Sequence, residues 1–383
     1  MIETLSSKAP PELSALAVAF AAVAGPASAE STVSLGGRID LGPQFIDGGM
    51  TSSKRIDSGA YTASRLVFQA KEDLGGGLGA LVYMETRFNA DTGAPQSNSK
   101  FFNAGSYVGL GSADWGTVTL GRQYVPIFWS FLFADDAGPL RLHGYSAVQS
   151  VQRSNFARIA ADASPIRQAG SLDSIADGVY TLDITSAFED NLVVYKTPSF
   201  GGLTAMFAAG FPEGYPSGAG KIRGGNLEYS QGAFYGSVAY NEKEGRVPAG
   251  GAIPQRVREA VASAMYAFTP QFKLWGNVHP WEFTGPARSR LEGRDWMLGA
   301  SYRFRAGMLW INYARKAIDD CVECNSRGFG VGYHRPLSRR TELYASYGRV
   351  GNDANSGNRL NGFAPGLLGQ RVRGVALGMV HLF

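Results

Sequence analysis

Charged residues in this chain stand at alternate positions within short segments, each set opposed by large apolar side chains. Ser34, Arg38 and Asp40 alternate with Leu35, Ile39 and Leu41; Arg65, Gln69 and Lys71 oppose Leu66 and Phe68; Tyr83, Glu85 and Arg87 oppose Val82, Met84 and Phe88. Guanidinium groups on one face raise the local potential and favour anions, whereas Asp40 and Glu85 reduce that bias or fix the guanidinium groups by pairing. Two readings stay open for Arg38 and Arg65, open wall charge or structural partner of a neighbouring carboxylate. Covalent chemistry has less to stand on. His143, His279, His334 and His381 are scattered, none lies in H-E-x-x-H, and neither G-x-S-x-G nor a phosphate-binding P-loop occurs. Cys321 and Cys324 form C-V-E-C without further metal ligands nearby, so a local disulfide is expected, and neither a metal nor another cofactor.

Strands must position these residues. A strand presents alternate side chains to opposite faces, and one apolar face with one polar face is the pattern of a membrane barrel around a wet interior. Trp296, Leu298, Tyr302 and Phe304 repeat it against Asp295, Ser301 and Arg303. Glycine- or proline-containing turns at 74–77, 113–116, 198–202, 231–232, 269–271, 305–307 and 336–339 define seven hairpins; with a first and a last strand the total is sixteen. Composition agrees: 50 glycines and 45 aromatic residues accompany a mean hydropathy of only −0.11, too polar for a bundle of membrane helices. The last strand sets Val375, Leu377, Met379, His381 and Phe383 against Gly374, Ala376, Gly378, Val380 and Leu382. The segment from Gln123 to Ala187, after the fifth strand, has no strand rhythm, and a loop of that length in a compact domain is either functional or evidence against the strand assignment.

The amino-terminus carries an address. Residues 13–25 form an apolar run too short to span a bilayer, and Pro26-Ala27-Ser28-Ala29 fits an A-x-A cleavage site, so residues 1–29 read as a signal peptide and 30–383 as the mature barrel. Removing Lys8, Glu3 and Glu12 leaves 35 basic and 30 acidic residues, dispersed along the chain, which excludes a nucleic-acid footprint.

V-S-L-G-G-R-I-D at Val33 to Asp40, S-R-L-V-F-Q-A-K-E-D-L-G-G-G-L at Ser64 to Leu78 and Y-V-G-L-G at Tyr107 to Gly111 continue with W-G-T-V-T-L-G-R-Q at Trp115 to Gln123. D-N-L-V-V-Y-K-T-P-S-F-G-G-L at Asp190 to Leu203 and the closing L-G-M-V-H-L-F complete the series. In order and spacing these segments resemble the Gram-negative general porins of the Neisseria, Bordetella and Burkholderia branch. The resemblance implies a sixteen-stranded, trimeric outer-membrane barrel whose third loop folds inward (about 123–187), with basic wall residues at Arg38 and Arg65 facing acidic loop residues. Asp135 and Asp136 are the expected acidic side, or else solvated loop charges. It also implies contact with membrane lipid and lipopolysaccharide, and with an outer-membrane assembly machinery that reads Phe383. Two departures thin the expected arginine ladder, at Ala104 and near Phe188 and Glu189; Arg87 is expected to supply part of what is missing, as are Arg141, Arg153, Arg158 and Arg167. Arg122 is left between the lipid belt and the root of the loop.

The expected function is passive diffusion of ions and small hydrophilic solutes through a water-filled channel with a mild anion preference. The alternative is a structural or surface-recognition barrel whose loops bind a partner. A barrel hydrolase with a Ser/His site assembled from distant strands would leave no local motif, though no convincing triad supports one.

Overall fold

The computed structural model describes residues 31–133, 158–159, 187–211, 221–244, 256–284 and 290–383. The expected leader lies outside the described residues, as do Asp135, Asp136, Arg141, Arg153 and Arg167.

The elements in chain order are β1 (Ser31–Asp47), β2 (Ser52–Ser58), β3 (Arg65–Gly75), β4 (Leu78–Arg87), β5 (Gly105–Ser112), β6 (Gly116–Tyr124), α1 (Pro126–Phe133) and β7 (Arg158–Ile159). They continue with β8 (Phe188–Lys196), β9 (Leu203–Gly210), β10 (Ile222–Gln231), β11 (Phe234–Glu244), β12 (Arg256–Ala267) and β13 (Phe272–Thr284). Last come β14 (Arg290–Phe304), β15 (Gly307–Ile318), β16 (Ser326–Pro336), β17 (Thr341–Asn352), β18 (Ser356–Gly357) and β19 (Val372–Leu382). Setting aside the short β2, β7 and β18, sixteen strands form one antiparallel sheet. It closes where β1 pairs with β19, Arg38 opposite Leu382 and Asp47 opposite Arg373. β2 doubles back on the far half of β1, and β3 takes the near half, Arg38 opposite Arg65. The seven short turns fall where the sequence places them, all at one end; β6 runs through Tyr124, so Gln123 belongs to the strand and not to the long segment.

The outer surface follows from the alternation. Leu35, Leu66, Val108, Leu120, Leu298 and Tyr302 are exposed, as are Val375, Leu377, Met379 and Phe383 of the last strand. Phe383 closes the ladder in both directions: Gly37 N–H donates to its carbonyl (3.0 Å), and its own N–H donates to the Gly37 carbonyl (3.2 Å). Its ring lies across Gly37, where a Cβ would stand 2.8 Å from the Phe383 Cζ, so only glycine fits beneath it.

The interior is not uniformly wet. Trp275, Met297, Met308, Trp310, Tyr344, Ala376 and Val380 form an apolar inner patch on β13–β19, and Ala60 and Tyr61 of the loop between β2 and β3 pack onto it. The Tyr61 ring packs at a tilt against His334, with centroids 4.5 Å apart, and against Tyr344, 5.2 Å apart. Alternation reports the face a side chain takes; it does not report that another part of the chain folds inward to dry that face.

Weak helical periodicity along the chain gave no warning of α1. Pro126 stands at its first position, where a missing N–H is harmless, and P-I-F-W-S-F-L-F is apolar all round, as a short helix surrounded by protein requires. Ile127, Phe128 and Phe131 are buried among Leu192, Val194, Ala208, Ala239 and Val261. Asn226 donates to the Pro126 carbonyl at 3.1 Å, and the Ser237 hydroxyl donates to Ser130 at 2.5 Å. Both partners are on the inward phase of their strands, so the chain enters the lumen directly after β6.

Candidate functional site

Three groups of polar side chains occupy the inner wall. The first sits on β3–β6. Arg65 and Arg87 are directly opposite one another in the β3–β4 pair. Two like charges so placed repel unless an anion stands between them. Glu85 does so: its Oε1 accepts from Arg65 Nη1 at 3.0 Å and from Arg87 Nε at 2.8 Å, and its Oε2 accepts from the Tyr83 hydroxyl at 2.5 Å. Arg87 also donates to the Tyr124 hydroxyl at 2.8 Å. The side chains of Arg65 and Glu85 are 5% and 1% exposed, which makes this a buried ion cluster and not an open wall. Structural pairing therefore describes Arg65 better than free wall charge does.

Phe188, at the place where the arginine ladder is thinned, takes part as a ring. The Arg87 guanidinium lies 4.8 Å from its centroid and that of Arg122 5.6 Å. Arg122 stands at the root of the long segment, donating to Asp190 at 2.7 Å and to the Asn103 carbonyl at 2.8 Å, while Asp190 also pairs with Lys100. Ala104, at the other thinned place, is buried and its N–H donates to the Glu85 carbonyl.

The second group spans the β1–β19 closure. Asp40 was expected to temper or pair with arginines; it pairs with none. Its Oδ2 accepts from the Tyr61 N–H (2.7 Å) and the Thr62 N–H (2.6 Å), and its Oδ1 from the Tyr344 hydroxyl (2.7 Å). The carboxylate thus straps an inward loop to the wall, because three donors there satisfy it without a guanidinium. Arg38, one register step away, donates to the Thr62 hydroxyl at 3.3 Å and stays partly exposed to the lumen. Below it opens a cavity of 570 Å³ towards the short-turn end, lined by Arg38, Arg303, Arg305 and Arg339. The one carboxylate in that lining is Glu342, which is paired with His334.

The third group went unrecognised in the sequence. His279 lies between Glu259 (Nε2 to Oε2, 3.1 Å) and Asp295 (Nδ1 to Oδ2, 3.3 Å), and both contacts are satisfied together when the ring carries two N–H groups. Lys316 stands 3.8 Å from Asp295, Asn241 donates to Glu259 at 2.9 Å, and Phe131 of α1 sits edge-on to the imidazole at 4.9 Å. The inward phase of Asp295 was readable. What hid the cluster is that its members come from six separate elements.

Cys321 and Cys324 are disulfide-bonded in the connection between β15 and β16. No group of three or more His, Cys, Asp or Glu side chains among the described residues is arranged to hold a metal ion.

Comparison with known proteins gives one consistent answer. The family model described as Gram-negative porin matches residues 15–355. Outer membrane porin protein 32 of Delftia acidovorans is 29% identical over 390 aligned positions, covering 97% of this chain and 99% of that protein. An outer membrane porin protein of Bordetella pertussis is 32% identical over 122 positions, 28% of this chain and 32% of its own. Among solved structures, an anion-selective porin from Comamonas acidovorans superposes with a TM-score of 0.75 at 26% identity, covering 92% of this chain and all of that one. OmpT of Vibrio cholerae, at 11% identity and a TM-score of 0.64, shares the fold. A closed sixteen-stranded barrel with a lipid-ready exterior, a charged inner wall and this pattern of matches has one reading: the chain belongs to the Gram-negative porin family and is an outer-membrane porin.

Proposed function

We propose that the channel favours anions as it passes ions and small hydrophilic solutes by passive diffusion. The carrying observation is the cavity beneath Arg38, where Arg303, Arg305 and Arg339 complete a ring of guanidinium groups against the single, already engaged Glu342. Among the described residues Arg303, Arg305 and Arg339 have no salt-bridge partner. A low-dielectric wall focuses the field of such charges into the aqueous path and raises the local anion concentration. Arg65 and Arg87 add to that field through Glu85, which balances one of the two. The solved porin described as anion-selective supports the same reading.

The channel works as a homotrimer in this proposal. The outward faces of β1 and β3–β6 carry mainly aliphatic groups such as Val33, Leu35, Ile39, Val82, Val108 and Leu120. The aromatic side chains that mark lipid interfaces, such as Tyr229, Tyr266, Trp296, Tyr302 and Tyr333, belong to the rest of the circumference. Phe45 and Phe68 are outward rings on these strands, but none of the five carries an outward Tyr or Trp, and a face without that belt suits a neighbouring subunit better than lipid. Phe383, exposed and at the short-turn end, is the proposed recognition feature for assembly machinery.

Reversal potentials in a salt gradient across planar bilayers test the anion preference. Anion-over-cation permeability should fall when Arg38 and Arg303 are both replaced by Gln, with conductance steps still present. Unchanged reversal potentials in that variant would refute the assignment. Absence of any conductance from correctly folded wild-type protein would instead favour the structural or recognition barrel.

A further inference from the structure

The outer face carries a charge pattern that conduction does not use. At the end away from the short turns, β10–β14 place acids among their outward bases: Arg223 and Arg258 pair with Glu242 at 2.8 and 3.0 Å, Arg256 with Glu244 at 2.7 Å, and Arg290 with Glu282 at 2.8 Å. One-third of the way around the barrel the acids disappear and the arginines remain. Arg315, Arg327, Arg349, Arg371 and Arg373 are all exposed at the same end of β15–β19. They are also set against each other, since Arg315 is directly opposite Arg327 across β15–β16, and Arg349 directly opposite Arg373 across β17–β19. Only Asp353, 3.5 Å from Arg327, and Asp47, 2.9 Å from Arg373, answer them. Among the described residues Arg315, Arg349 and Arg371 have no salt-bridge partner.

Like charges directly across a strand pair destabilise a sheet, and neighbouring strands show that this fold can place carboxylates at this height. The arrangement is therefore incomplete without an anion from outside. Its depth in the membrane says which kind. Tyr313, Phe329 and Tyr347 precede or follow these arginines by two residues on the same outward phase, about 7 Å along the strand. Outward aromatic rings sit at the boundary between acyl chains and headgroups. One step beyond them, the guanidinium groups reach the headgroup layer of the outer leaflet. Between the strands lies a recess of 650 Å³ lined by Tyr313, Phe329, Tyr347, Arg327, Arg349 and Arg371, with Asp353, the partner of Arg327, as its one carboxylate.

We propose that this recess binds the phosphorylated headgroup of an outer-leaflet lipid, with phosphate monoester oxygens accepting from Arg327, Arg349 and Arg371 and the rings packing on the apolar boundary below. Guanidinium suits that role because its fork of donors meets two phosphate oxygens at once. One bound phosphate near Arg315 and Arg327 would bridge that repulsive pair, and another between Arg349 and Arg371 would neutralise the Arg349 guanidinium that faces Arg373. The site lies outside the pore, so it is separable from conduction.

The experiment uses the folded barrel in detergent and native mass spectrometry, with lipid A carrying both phosphates as one probe and lipid A with both phosphates removed as the other. Wild-type protein should retain the phosphorylated lipid roughly tenfold or more tightly than the dephosphorylated one. The triple variant R327Q/R349Q/R371Q should lose that preference while keeping wild-type single-channel conductance. Equal retention of the two lipids by wild-type protein would assign the recess to acyl-chain packing and overturn the proposal without recourse to any variant. A preference for phosphate that survives in the folded triple variant would overturn it too. Loss of trimer in that variant in the absence of lipid would assign the patch to subunit contact, which also overturns it.

Discussion

Replacing Glu85 with Gln isolates the ion cluster on β3 and β4. The substitution keeps shape and an acceptor oxygen and removes one charge, so Arg65 and Arg87 face each other with no anion between them. Each guanidinium–carboxylate pair near 3 Å carries a Coulomb attraction of about 5.5 kcal/mol at an effective dielectric of about 20. The amide recovers part of this through neutral hydrogen bonds, and the remaining loss is the one expected when a buried pair is broken, about 3–5 kcal/mol. Urea titration of folding into thin-bilayer vesicles reads that loss, and single-channel reversal potentials read the second effect, a shift towards anions because the wall gains a unit of positive charge. The double variant E85Q/R65Q removes one of the two opposed cations and should be more stable than E85Q alone. A loss below about 1 kcal/mol would mean that the cluster behaves like an exposed surface pair and is hydrated. The reasoning from burial would then be wrong.

Selectivity should also depend on salt: the wild-type anion preference is expected to weaken from 0.1 M towards 1 M, as the screening length drops from about 10 Å to about 3 Å, and a preference independent of salt would point to direct binding instead of field. Gly332→Val puts a side chain against the Trp310 ring, which lies across that glycine, so the folded band on heat-modifiability gels should be lost, and Trp310→Leu in the same chain should restore part of it. Phe383→Ala keeps the two backbone bonds to Gly37 and removes only the ring. Slower appearance of the heat-resistant form with unaltered conductance is expected, and assembly at the wild-type rate would leave the ring without a role. Replacing both Cys321 and Cys324 with Ser should reduce stability by no more than about 2 kcal/mol, because the loop they close is very short, with the channel unaffected in bilayer recordings.

The alternation of Arg38 with Leu35 and Ile39, or of Glu85 and Arg87 with Val82 and Met84, was enough to assign faces, and faces with seven short turns were enough to assign a barrel. Partners were a different matter. Asp40 occupies the inward phase just as Glu85 does, yet one takes amide hydrogens and a tyrosine hydroxyl and the other two guanidinium groups. Period-two reasoning treats the two alike, because it contains no information about loops that return to the wall. Trp275 and Trp310 were invisible as inner residues for the same reason: what keeps an inward indole out of water is supplied by segments remote in sequence. α1 was missed because an eight-residue run whose one polar side chain is Ser130 has no polar face from which a period could be read.

The bond from the Tyr344 hydroxyl to Asp40 joins positions 304 apart, and it can form only when nearly the entire chain is present. Bringing together ends separated by that length carries an entropic cost of about 5 kcal/mol, and it falls on the last step, since the other pairings of the sheet join strands much nearer in sequence, β6 with β8 across the long segment included. Until then β1 has one edge without a neighbour, in a membrane that supplies no replacement hydrogen bonds. The carboxylate of Asp40 therefore acts as a check on completion. It takes donors from β17 and from the inward loop together, so a barrel closed in a wrong register, or one strand short, would leave the carboxylate without its Tyr344 donor and would be less stable than the correctly closed one.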